Sequence, residues 1–107
     1  MIKVYIACPY TKGDVAINVR NAMAAADILI SSGFAPFCPL WFHFQHLHSP
    51  HGYEEWMSLD FEWLAACDVV LRLPGESPGA ERELEFAKQK NIEIFYDLNQ
   101  LIKHYEI

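Results

Sequence analysis

Four short apolar runs, each about five residues long and separated by helical patterns, leave this chain few ways to fold. Lys3–Ala7, Phe34–Cys38, Asp68–Leu73 and Ile92–Tyr96 have the length and content of buried strands. Asp14 can cap a helix that ends near Ser32, where Gly33 supplies a left-handed terminator. Inside that helix Ala22, Ala25, Ala26, Leu29 and Ile30 form one apolar stripe. Tyr53–Ala66 and Ala80–Lys90 read as two further helices, and Asp97 caps a short last one. Leu40–Gly52 reads as a loop rich in His and aromatics, and Pro74–Gly79 as a loop by its turn formers. No hairpin signal joins two strand runs, so each strand returns through a helix. The pattern βαβαβαβα predicts an α/β fold with a mostly parallel sheet and helices on its faces. Ligands of such sheets bind beyond the carboxyl ends of the strands. Three loops fall there: Cys8–Gly13, Pro39–Gly52 and Pro74–Gly79.

With 107 residues and no repeat, linker or low-complexity stretch, residues 1–107 are expected to form a single domain. Eight Lys and Arg stand against 14 Asp and Glu, a net charge of −6, which disfavours a nucleic-acid polymer or an anionic membrane as general partner. A small anionic ligand stays open, because a local site can differ from the whole. Cys8, Cys38 and Cys67 show no CxxC spacing, and an odd set argues against a disulfide framework. No run approaches the ~18 apolar residues of a membrane span, and Met1–Ala7 lacks signal-peptide features. The expectation is a soluble, cytoplasmic domain.

Two carboxylates sit where apolar residues belong. On the Ala80–Lys90 helix, Ala80, Leu84 and Ala87 form the apolar face, and Glu83 falls on it, three after Ala80 and four before Ala87. On Tyr53–Ala66, the stripe of Trp56, Met57, Trp63, Leu64 and Cys67 carries Asp60 at its centre. A buried carboxylate is costly and usually has a partner or a function. Either acid can instead be structural, Glu83 by reaching solvent or capping its helix and Asp60 by bonding nearby backbone. Two acids on two apolar walls are what cleavage of a glycosidic bond needs, one as nucleophile or cation stabiliser and one to move a proton. Asp68, at the start of the third strand, is better read as structural.

Ser77-Pro78-Gly79, with the helix opening at Ala80, offers a hydroxyl, backbone N–H groups and a positive helix end, features that suit an anion and also ordinary capping. Lys12 and Arg72 are nearby candidates to neutralise its charge. His43, His46, His48 and His51 match no usual zinc spacing, so no metal is assigned. With Trp41, Phe42 and Phe44 they suit a base-binding wall or a lid. Cys8 has no histidine placed to activate it and reads as a packed small residue.

Three segments resemble the nucleoside 2-deoxyribosyltransferase-like superfamily: Val4-Tyr5-Ile6-Ala7-Cys8-Pro9-Tyr10, then Asp60 through Val70, then Ser77 through Ala87. The last carries a Ser-x-Gly…Glu…Ala pattern. The resemblance implies a small doubly wound, Rossmann- or flavodoxin-like parallel sheet ordered 2-1-3-4, with the site at its carboxyl edge. It places Glu83 on the glutamate that attacks the sugar anomeric carbon and Asp60 on the acid that assists base departure. Ser77 falls on the position that contacts a 5′ phosphate in the nucleotide-hydrolysing branch. Tyr5 and the Cys8, Pro9 and Tyr10 loop fall on the edge that contacts sugar and phosphate. Relatives often have Gly where Cys8 and Glu85 stand, and a fifth strand with no counterpart here.

The expected function is therefore N-glycosidic cleavage of a (deoxy)nucleoside 5′-monophosphate, releasing free base, with Glu83 and Asp60 catalytic. Tyr5, Cys8, Pro9, Tyr10, Lys12, Ser77, Gly79 and Ala80 would bind substrate, with no metal and no cofactor. Base exchange between nucleosides and a non-catalytic nucleotide-binding module are the alternatives. The resemblance also implies oligomers, and a homodimer would cover part of the aromatic and His-rich surface.

Overall fold

A computed structural model, which describes residues 1–106, arranges the apolar runs as four parallel strands. These are β1 (Lys3–Ala7), β2 (Ala35–Phe37), β3 (Val69–Arg72) and β4 (Glu93–Phe95), in the order β2-β1-β3-β4. β1 pairs with β3 from Val4 opposite Val69 to Ala7 opposite Arg72. Its other edge takes β2, and β3 takes β4. The central positions explain the sequence: Val4–Ala7 and Val69–Leu71 are buried on both faces and so do not alternate. The two edge strands have three residues each, shorter than the runs read from sequence. This is the doubly wound, Rossmann-like sheet with the strand order expected.

Five helices connect and cover it: α1 (Val15–Ser31), α2 (Phe42–His48), α3 (Tyr53–Ala65), α4 (Pro78–Gln89) and α5 (Leu98–His104). Asp14 caps α1 through the Ile17 N–H (3.1 Å), and Asp97 caps α5 through Gln100 (2.9 Å). Ala22, Ala25, Ala26 and Leu29 of α1, with Leu101 of α5, pack on Val4, Ile6, Val69 and Leu71. Leu64 of α3 and Ala80, Leu84 and Ala87 of α4 pack on Tyr5, Ala7 and Val70 on the other face. Each large aliphatic so buried contributes roughly 1.5–3 kcal/mol of transfer free energy. Arg82 of α4 grips Glu54 of α3 with both guanidinium nitrogens (2.8 and 3.0 Å), tying the two helices together outside the core.

Three sequence readings need correction. Leu40–Gly52 is not a loop: Pro39–Trp41 makes a 3₁₀ turn and Phe42–His48 is helical. α2 has no side-chain cap and few strong helix formers, so tertiary contact rather than propensity holds it. Phe42 stacks on Trp56 (5.2 Å between ring centroids) and edges onto Phe37. α4 begins at Pro78 rather than Ala80, because proline suits the first helical position. Ile30 lies beside the α1 stripe and is exposed. Asp68 accepts the Lys3 N–H (2.8 Å), the structural use its strand-start position suggests.

Candidate active site

Glu83 lies one turn into α4 and Asp60 two turns into α3, and both face the carboxyl end of the sheet. Their helices carry them there because the residues around each on the same stripe are apolar. Only 3% of Glu83 and 8% of Asp60 is exposed. The two carboxyls lie close enough that each shifts the other's proton affinity. Tyr5, fully buried in β1, donates its hydroxyl to Glu83 Oε2. Its place in the central strand fixes the phenol beneath the carboxylate.

Burial sets the electrostatics of this trio. It pushes the Asp60 carboxyl up to about 6, an effect that the neighbouring Glu83 opposes. It raises Glu83 as well, with the Tyr5 hydrogen bond resisting the rise and the Asp60 charge adding to it. Two acids this close in an apolar site titrate as one unit, which favours a state with one shared proton. Tyr5 is pushed well up by its own burial and by Glu83, so its hydroxyl remains a donor.

A cavity of about 570 Å³ opens over this pair. It brings together Glu83, Asp60, Cys8, Tyr10, Lys12, Ser77, Gly79 and Ala80 of the residues singled out above. Tyr5 and Pro9 do not line it: Tyr5 lies under Glu83, and Pro9 packs under the loop at Gly75. Arg72 does not line it either. Its guanidinium is held by the Leu73 and Gly75 (2.9 Å) carbonyls and by Glu81 (3.0 Å), so it pins the 73–76 loop. Among the described residues that line the cavity, Lys12 is the one Lys or Arg. Cys8 keeps its proton, because its thiol donates to Cys38 and is buried.

At the α4 N-terminus the Ser77 hydroxyl accepts the Ala80 N–H (3.1 Å), and the Ser77 carbonyl accepts that of Glu81 (3.0 Å). Pro78 has no N–H, which leaves the Gly79 N–H and the Ser77 O–H as donors for a ligand. Gly79 sits in the first helical turn with ordinary backbone angles, not in a left-handed turn. What its missing side chain provides is room: a Cβ there would meet the Tyr53 hydroxyl at 3.4 Å and the Met57 sulfur at 3.7 Å.

The remaining wall comes from α2 and the start of α3. Phe42, His43, His46, His51, Tyr53 and Trp56 all face the cavity, whereas His48, Trp41 and Phe44 do not. Among the described residues no three His, Cys, Asp or Glu side chains gather to hold a metal ion. Tyr53 and Trp56 were not picked out from sequence as cavity residues. The signal was present, since Tyr53, Trp56, Met57 and Asp60 follow each other at helical spacing on one face.

Residues 2–97 match the family model described as a domain of unknown function, DUF7768. The chain belongs to the DUF7768 family. No curated protein matches its sequence. Among solved structures, the 2-deoxyribosyltransferase of the psychrotolerant bacterium Bacillus psychrosaccharolyticus aligns with 98% of this DUF7768 chain and 93% of its own, at 18% identity and a TM-score of 0.65. The DUF7768 chain therefore has the nucleoside 2-deoxyribosyltransferase-like fold. Among its described residues no helix is long and apolar enough to cross a membrane.

Proposed function

We propose that this chain cleaves the N-glycosidic bond of a nucleoside 5′-monophosphate and releases the free base. The observation that carries the reading is the buried, mutually interacting Asp60–Glu83 pair that lines the cavity, with Tyr5 bonded to Glu83 beneath it. The shared proton supplies both catalysts. Moving the shared proton from Glu83 to Asp60 leaves Glu83 a carboxylate held by the Tyr5 hydroxyl, which bonds to C1′ as the C1′–N bond breaks. The bond pair leaves on the base nitrogen, which takes the Asp60 proton. Asp60, now ionised, accepts a proton from the water that attacks C1′ and frees Glu83.

Ser77, the Gly79 N–H and Lys12 would receive the phosphate. The 2-deoxyribosyltransferase with this fold favours a second reading, in which another base replaces water as the sugar acceptor. We further take residues 1–107 to act as one domain, cytoplasmic and homodimeric.

The test is release of free base from a panel of nucleosides and monophosphates. Turnover should fall by orders of magnitude in Glu83→Gln. It should fall less in Asp60→Asn, where proton transfer is worth ~10²–10⁴-fold. Unchanged release in Glu83→Gln rejects the nucleophile. Sugar transfer to an added base, without hydrolysis, selects the second reading.

A further inference from the structure

His46 makes hydrogen bonds that fix its tautomer. Its Nδ1 accepts the indole N–H of Trp56 (2.9 Å) and the backbone N–H of His51 (3.3 Å). Both partners are donors only, so Nδ1 carries no proton and the ring proton sits on Nε2. Among the described residues Nε2 has no partner. It is not sealed either, because no buried side-chain nitrogen or oxygen lacks a partner among the described residues. His46 lines the cavity. Its N–H is thus a fixed donor, on a residue of the same wall that carries the stacked rings of Phe42 and Trp56.

We propose that His46 reads the leaving base and selects one that presents a carbonyl oxygen at that edge. This rests on the glycosidic reading above and names its substrate class, an oxo-substituted base. An oxo group accepts the Nε2–H. An exocyclic amino group in the same place sets donor against donor and leaves the imidazole N–H unsatisfied, the situation in which polar sites discriminate strongly. Trp56 acts twice, by offering a ring face to the base and by holding His46 in the donor tautomer. The His51 backbone adds a second donor to that lock, and Glu55 holds the His51 ring in turn (3.0 Å).

The experiment is calorimetric binding of free bases, which requires no turnover, in two pairs that differ by oxo against amino: uracil with cytosine, and hypoxanthine with adenine. The oxo member of at least one pair should bind roughly tenfold tighter to the wild-type chain. His46→Phe should abolish that preference. Trp56→Phe keeps an aromatic face and removes only the indole donor, so it should narrow the preference while binding persists. Equal affinity within both pairs, or a preference unaltered in both variants, overturns the role of His46 and leaves the glycosidic reading standing. Binding of no base, together with no base release from any nucleotide, rejects both.

Discussion

Asp60 and Glu83 weaken the fold that holds them. A carboxyl whose pKa is higher folded than unfolded keeps its proton more tightly when folded, so stability falls as pH rises through that interval. For Asp60 the interval runs from 3.8 to about 6, and Glu83 moves in the same direction. Carried through in full, the Asp60 shift is worth about 3 kcal/mol. Asp60→Asn should therefore be more stable than wild type at pH 8, by about 1–3 kcal/mol in urea unfolding, with the gap closing toward pH 4. A variant less stable at pH 8 would show that the lost hydrogen bonds outweigh burial. In the proposed mechanism the same titration shapes catalysis. Below about pH 6 the pair takes its second proton and the nucleophile is lost, so kcat/KM should drop there. In Asp60→Asn this acid limb should move, since Glu83 then titrates alone. A flat profile between about pH 5 and 8 in the wild type rules against the one-proton pair.

At the scale of elements, α4 joins stability to the proposed phosphate recognition through Ser77, which both caps the helix and lines the cavity. Two substitutions separate the roles. Ser77→Ala loses the cap and should cost about 1 kcal/mol in thermal or urea unfolding. Ser77→Asp keeps a good cap and places a negative charge where the phosphate would sit. It should retain near wild-type stability while the kcat/KM ratio of monophosphate to nucleoside falls at least about tenfold. An unchanged ratio in Ser77→Asp would remove the phosphate from this helix end. The strands and the long helices were legible because burial enforces periodicity. Glu83 and Asp60 broke that periodicity and so announced themselves. α2 was not legible, since Phe42–His48 has neither a cap nor strong helix formers, and its order comes from Phe37 and Trp56, distant in sequence. The cavity wall it builds was hidden with it.

For the whole molecule, the all-parallel sheet, its order and its covered faces followed from the strand–helix alternation and the family resemblance, while the partners of Arg72 and the tautomer of His46 needed the tertiary structure. Phe44 (73% exposed) and Leu47 (65%) project from α2, with Leu59 and Trp63 exposed on α3. Light scattering at micromolar concentration should show a homodimer that Leu47→Glu weakens, and a wild-type monomer contradicts it. The strand order β2-β1-β3-β4 also governs how this protein comes into being. β1 leaves the ribosome first, yet it is a central strand whose second edge is met only by Val69–Arg72. At ~5–20 residues per second that is a wait of several seconds with an apolar edge unpaired. Tyr5 and Glu83 lie 78 residues apart, so their hydrogen bond forms only after the sheet has closed around β1. A truncated or stalled chain would thus present the sticky strand without the assembled cavity, and cellular quality control would meet it before any ligand did.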